Sequence, residues 1–207
     1  MIPDKQLQEH VERLIQASIS VKQQIAAKHP GEIIAIAKCL AACIEKGGKV
    51  LFCGNGGSAA DAQHLAAELL VRLRPHVNRD AIPALALALD TSSLTACGND
   101  YSFEVFYERM THALGKPGDV LVGITTSGKS PNIIRALKAA RGKKMTAVGL
   151  LGANGGPALA ECDLALVVPS SETGRIQESH IMIGHAVMEL VEELLLANGF
   201  LKNQPAS

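Results

Sequence analysis

The chain has 207 residues, 47% of them hydrophobic, with 20 basic and 20 acidic side chains and a formal net charge of +0. Such a length is read as one domain with one sizeable core, and the apolar content excludes a disordered chain. A zero net charge provides no global attraction to nucleic acid or to an anionic membrane surface, so neither is expected as a direct partner. No apolar run reaches the roughly 20 residues of a membrane span. The polar start MIPDKQLQEH shows no signal peptide, so a cytoplasmic protein is expected. The five cysteines, at 39, 43, 53, 97 and 162, have neither zinc-finger nor disulfide-framework spacing and are read as reduced, partly buried thiols.

Residues 4–27 place Leu7, Val11, Leu14, Ile15, Ser18, Ile19 and Ile25 at helical period. Pro30 can open a second helix, through Ile33, Ile34, Ala37, Leu40, Ala41 and Ile44 to a stop at Gly47-Gly48. Two helices before any strand exceed what a minimal α/β domain needs, and they are expected to pack on another subunit. Lys49–Cys53 then reads as a strand, GNGGS as a tight turn, and Ala59–Arg72 as a helix with Ser58 as its N-cap. Further apolar runs follow at Pro83–Leu89, Val120–Ile124, Met145–Leu150 and Leu164–Val168. Each is continuous rather than alternating, as in strands covered on both faces. Between them the pattern predicts a short helix around Leu94, another over Phe103–Leu114, a third over Pro131–Ala140 and a turn near Leu159. A long last helix runs from Arg175 to Ala197, and the tail Lys202–Ser207 is expected to fray. Alternating strands and helices predict a parallel sheet with helices on both sides, and ligands of such sheets sit at the C-terminal strand ends.

Those strand ends are polar. After the first strand, Gly54, Gly56 and Gly57 allow a backbone to approach a ligand, and the following helix aims free N–H groups and a positive dipole end at the turn. After the second come Asp90-Thr91-Ser92-Ser93 and then Gly98-Asn99-Asp100; after the third come Thr125, Thr126, Ser127, Gly128, Lys129 and Ser130, with Pro131 opening a helix. This hydroxyl-rich loop at a helix N-terminus is a phosphate-binding candidate. Two familiar patterns fit only in part. Gly54–Ala59 matches the dinucleotide fingerprint G-x-G-x-x-A, but that fingerprint needs a strand-end acid about 20 residues on, and Asp90 is too far. Gly123–Ser130 matches the phosphate loop G-x-x-x-x-G-K-[ST], yet no later strand closes on an aspartate able to hold magnesium.

His64 and Glu68 stand four residues apart, about 40° around the helix axis, and so share a face. On the last helix Gln177 and His185 are eight apart, about 80°, while His180 reads as a core histidine. Should the two helices meet, His64, Glu68, Gln177 and His185 would offer two imidazole nitrogens and two oxygens, a four-ligand zinc set. Taken by themselves, these residues define a phosphosugar-type α/β enzyme or binding domain with a candidate metal site.

The set GNGGSAADAQH-x-x-x-E, GND, TTSGKSPN and RIQESH-x-x-x-x-H resembles the phosphoheptose isomerases of the sugar isomerase (SIS) domain superfamily, in order and over nearly the whole chain. The resemblance implies a three-layer αβα sandwich with a five-stranded parallel sheet, flavodoxin-like, plus N-terminal helices for oligomerisation. It implies a single SIS domain over 1–207, with N-terminal helices to 47, an α/β core over 48–197 and a tail over 198–207. It implies conversion of sedoheptulose 7-phosphate to D-glycero-D-manno-heptose 7-phosphate, on the route to lipopolysaccharide heptose, by a homotetramer with shared active sites. Carried over by position, His64, Glu68, Gln177 and His185 would hold one Zn2+ per subunit, and Glu68 and His185 would be the acid/base pair. Asn55, Gly56, Gly57, Glu68, Asn99, Asp100 and Gln177 would line the substrate, with Thr125, Thr126, Ser127 and Ser130 on its phosphate. One departure is small: Thr125-Thr126-Ser127 stands where relatives commonly have Ser-Thr-Ser. The rival within the superfamily is a non-catalytic group that binds the bacterial replication initiator, to which the segment LIQASISVKQQIAA has some likeness. Retention of Glu68, Gln177 and His185 fits an enzyme.

Overall fold

The apolar runs become strands whose alternate residues point to opposite faces, so a strand apolar at every position needs a helical layer on each side. The computed structural model describes residues 2–88 and 90–203. Helices α1 (Asp4–Lys28) and α2 (Pro30–Glu45) precede β1 (Val50–Gly54), α3 (Gly57–Leu70), β2 (Ala84–Ala86) and α4 (Thr91–Asp100). A 3-10 turn (Phe103–Val105) leads into α5 (Phe106–Leu114), then β3 (Val120–Thr125), α6 (Pro131–Gly142) and β4 (Thr146–Leu151). A second 3-10 turn (Pro157–Glu161), β5 (Leu164–Val167) and α7 (Thr173–Ala197) complete the order. All strand pairs are parallel, in the order β2-β1-β3-β4-β5.

Val50 and Phe52 of β1, with Val122, Val148 and Leu166, face a core made with α2, α3 and α7. Leu51 and Cys53, with Leu121 and Ala147, face α5 and α6. The result is the expected three-layer αβα sandwich. Leu51, Phe52 and Leu121 are 0% exposed, and each such side chain contributes about 1.5–3 kcal/mol of burial.

Several local expectations shift. The second strand keeps only Ala84–Ala86, because Pro83 has no N–H for the ladder; Leu89, at the end of the predicted run, lies outside the described residues. Asp90 Oδ1 accepts the Ser92 N–H (3.0 Å) and starts α4 early enough that Gly98, Asn99 and Asp100 are its last turn rather than a loop. Helix α3 starts at Gly57 with Gly56 as its N-cap, so Ser58 is buried inside the first turn and is not the cap. Helix α2 spends its apolar face within the chain, burying Ile36, Ala37, Leu40 and Ile44. Helix α1 buries Val21 and Ile25, and Arg175 Nη1 on α7 donates to its Leu14 carbonyl; its Leu7, Val11, Leu14, Ile15 and Ile19 remain 40–53% exposed. In the tail, Asn203 Oδ1 accepts the Asn78 N–H (2.9 Å), and residues 204–207 lie outside the described ones.

Candidate active site

In the order 2-1-3-4-5 the connections reverse direction between β1 and β3, and the helices that leave these two strands go to opposite faces. A crevice opens between them at the strand ends. Its first wall is the turn after β1. Gly56 takes φ 56°, a conformation that favours glycine, and sends the chain into α3. Its second wall is the loop after β3. There Thr125 Oγ1 and Ser130 Oγ lie 3.1 Å apart, Ser127 Oγ accepts the Lys129 N–H (3.1 Å), and Pro131 opens α6. Two helix N-termini thus border one crevice, and their positive dipole ends suit an anion, while the N–H groups of Ser58, Ala59, Ile133 and Ile134 are taken by the Asn55, Gly56 and Ser130 carbonyls. Asn55 and Asn132 join the walls through a reciprocal pair of amide hydrogen bonds, 2.9 and 2.8 Å.

Helices α3 and α7 lie side by side in the same layer and run in the same direction. At their N-terminal ends a Cβ on Gly57 would come within 2.6 Å of Gln177 Nε2, and further along one on Gly184 would come within 2.6 Å of Leu65. This close register brings His64 Nε2 to 2.7 Å from His185 Nε2 and 3.1 Å from Glu68 Oε1. Donor atoms of His64, Glu68 and His185 all lie within 4.8 Å of one another. Two imidazole nitrogens and a carboxylate form a donor set that zinc takes, so the residues present fit such an ion. Asn99 and Asp100 are exposed at the end of α4, where Asn99 Nδ2 donates to Asp100 Oδ1 (2.8 Å). Among the described residues no hydrogen bond joins this pair to the histidines or to the loop after β3.

Three contributors were not singled out from sequence. Asp61, one turn before His64 on the same helix face, has its carboxyl pushed up by burial while His64 and His185 pull it the other way, and its Oδ2 has no hydrogen-bond partner among the described residues. It lies inside the motif GNGGSAADAQH, at i−3 from His64, so helical spacing could have found it. Asn132 lies in TTSGKSPN, but nothing in that motif announces its partner. Arg79 had no sequence signal: its Nη2 donates to the Glu68 carbonyl (2.8 Å), its Nη1 to the Leu69 carbonyl (3.0 Å), and its Nε to Glu192 Oε2 (2.9 Å) on α7. The same carboxylate accepts Arg74 Nε (2.8 Å) through Oε1. Arg79 therefore caps the C-terminal turn of α3 and ties it to α7 just beyond the His/Glu/His cluster. His180 is 0% exposed, as expected of a core residue; its Nε2 lies 3.0 Å from the Leu151 carbonyl while its Nδ1 has no partner among the described residues, and burial lowers its pKa to about 4.

A doubly covered parallel sheet with hydroxyl-rich and glycine-rich strand ends matches the SIS domain model over residues 14–152. Relatives with this arrangement are more specific. The chain is 50% identical over 179 residues to a phosphoheptose isomerase of Chlorobaculum parvum, covering 86% of each chain. It is 49% identical over 192 residues to that of Paramagnetospirillum magneticum, covering 91% of this chain and 93% of the relative. The structure of phosphoheptose isomerase from Neisseria gonorrhoeae superposes with a TM-score of 0.85 at 43% identity, covering 90% of this chain and 99% of that one. The chain belongs to the phosphoheptose isomerase family of SIS-domain proteins, a family of isomerases.

Proposed function

We propose that the protein interconverts sedoheptulose 7-phosphate and D-glycero-D-manno-heptose 7-phosphate through an enediol-type intermediate, with Glu68 and His185 as the acid/base pair. The observation that carries this reading is the convergence of His64, Glu68 and His185 within 4.8 Å, in a chain of this family. Aldose–ketose exchange moves a proton between C1 and C2 and between the two oxygens on them. It requires one group to take the carbon proton and one to serve the oxygen, and a carboxylate beside an imidazole supplies both. Glu68, 16% exposed in its side chain, is partly shielded from water, which strengthens its interactions with a bound sugar. Thr125, Thr126, Ser127 and Ser130, with the N-terminus of α6, hold the phosphate, while Asn55, Gly56, Gly57, Asn99, Asp100 and Gln177 line the sugar. His64, Glu68, Gln177 and His185 would hold one zinc ion per subunit. When bound, it would supply positive charge near the developing oxyanion.

Residues 1–207 are taken as one SIS domain, with N-terminal helices over 1–47, the α/β core over 48–197 and a tail over 198–207. The exposed stripe on α1 supports a homotetramer with shared sites: Val11, Leu14, Ile15 and Ile19 line a groove of about 390 Å³ against α7, with Ser18, Lys22, Arg175 and Glu178 as its polar members. Among the described residues no helix is long and apolar enough to cross a membrane, and we read the protein as cytoplasmic, serving lipopolysaccharide heptose synthesis. The scaffold that binds a replication initiator is the weaker reading, since it has no need of the His/Glu/His cluster. Purified protein should turn over sedoheptulose 7-phosphate and carry stoichiometric zinc, and Glu68→Gln and His185→Ala should fold but lose activity. Wild-type rates in both variants would remove these residues from the mechanism. Capture of the initiator without any turnover would replace the enzyme reading.

A further inference from the structure

We infer that Asn132 is a positioning residue that sets the orientation of the Asn55 amide and holds the turn after β1 at a fixed distance from the loop after β3. This rests on the reading above that Asn55 contacts the sugar phosphate. Asn132 is 2% exposed, so it acts through Asn55 rather than on the ligand.

The orientation is determined. Asn132 Oδ1 shares the Ile133 N–H (3.0 Å) with the Ser130 carbonyl (3.1 Å), which sets the oxygen end of its amide there, because an NH2 group beside that N–H would be donor against donor. With that end fixed, Asn132 Oδ1 takes Asn55 Nδ2 (2.9 Å) and Asn132 Nδ2 donates to Asn55 Oδ1 (2.8 Å). Flipping either amide would set donor against donor and acceptor against acceptor. Asn55 therefore presents one defined N–H and one defined carbonyl lone pair for a ligand. The bridge spans neighbouring strands, since Gly54 of β1 pairs with Ile124 of β3. It connects the two loops read as holding opposite ends of the substrate. Holding them at one spacing removes a freedom that would otherwise be lost on binding.

The test is steady-state kinetics with sedoheptulose 7-phosphate on wild type, Asn55→Ala, Asn132→Ser, Asn132→Asp and the double variant Asn55→Ala/Asn132→Ser, with a melting curve for each. Serine keeps an oxygen for the start of α6 but cannot bridge, so it separates loss of the link from loss of the fold. Aspartate keeps the shape but sets one carboxylate oxygen against Asn55 Oδ1 in either orientation of the Asn55 amide. The expected result is a KM raised roughly ten-fold in Asn132→Ser, the effect of about one hydrogen bond. Asn132→Asp should raise it further, and the double variant should resemble Asn55→Ala alone. An unchanged KM in Asn132→Ser overturns the inference, as does an effect that simply adds to that of Asn55→Ala. Absence of turnover in wild type, or an unchanged KM in Asn55→Ala, overturns instead the reading on which it rests.

Discussion

Glu192→Gln is expected to destabilise the protein far more than loss of one surface charge would. Glu192 is 2% exposed in its side chain and Arg79 1%, and their contact is 2.9 Å. Each carboxylate oxygen of Glu192 takes one guanidinium, from Arg74 and from Arg79. Neutralising Glu192 leaves the buried Arg79 charge without its carboxylate, and breaking a buried pair in this way costs about 3–5 kcal/mol. Against a typical total of about 5–15 kcal/mol that is a large share. In a domain of this size it corresponds to a drop in Tm of roughly 6–20 °C. Arg79→Met removes the opposite partner and also takes the guanidinium donors from the carbonyls of Glu68, Leu69 and Asp80, of which Leu69 keeps the Ile82 N–H (3.0 Å). The double variant Arg79→Met/Glu192→Gln strands no buried charge from this pair, because Arg74 keeps Glu193 as a partner near solvent. Its cost should therefore be smaller than the sum of the single costs. The assay is urea unfolding of the four species at one protein concentration and one metal content, so that association and ligand linkage stay constant. A Glu192→Gln variant within about 1 kcal/mol of wild type, or single effects that add to within about 0.5 kcal/mol, would refute the argument from burial.

Acidification is expected to weaken the fold through His180. Its folded pKa lies at about 4 against 6.5 for a free imidazole. The unfolded chain therefore binds the proton first, and stability present above pH 6.5 is lost as pH falls toward 4, on the order of 3 kcal/mol. Stability curves against pH should be flatter in that window for His180→Gln; equal slopes would refute the assignment. Gly57→Ala should fold within about 1 kcal/mol of wild type, because the new Cβ meets only the flexible end of Gln177 at 2.6 Å. Isomerase activity should fall with the displacement of that amide, and an unchanged rate would remove Gln177 from the site. The Cys53 thiol is 0% exposed and burial raises its pKa, while burial pushes Cys162 up to about 12. Thiol titration at pH 8 should count fewer than the five cysteines in native protein and all five in denaturant; five fast thiols in native protein would contradict the buried placement.

Much of the architecture could be read from apolar patterning. Five continuous runs separated by helical periods admit few arrangements other than a parallel sheet between two helical layers. Boundaries were harder to read where a local group outweighs periodicity. Asp90 caps α4 and draws Gly98-Asn99-Asp100 into a helix, and Gly56 rather than Ser58 starts α3. The partnership of His64 with Glu68 was visible in their spacing. Their meeting with His185, 121 positions away, was not: it depends on how close α3 and α7 pack.

The amino-acid order alone thus determined the layers, the polar strand ends and the residue types able to do isomerase chemistry, because helical and strand periods are properties of neighbours along the chain. Tertiary structure alone decided which of those groups share a site. The Asn55–Asn132 bridge, the Arg79 clamp and the His64–His185 contact each join segments 77 or more positions apart. Contacts at such separation arise from sheet order and helix packing, which no local pattern contains.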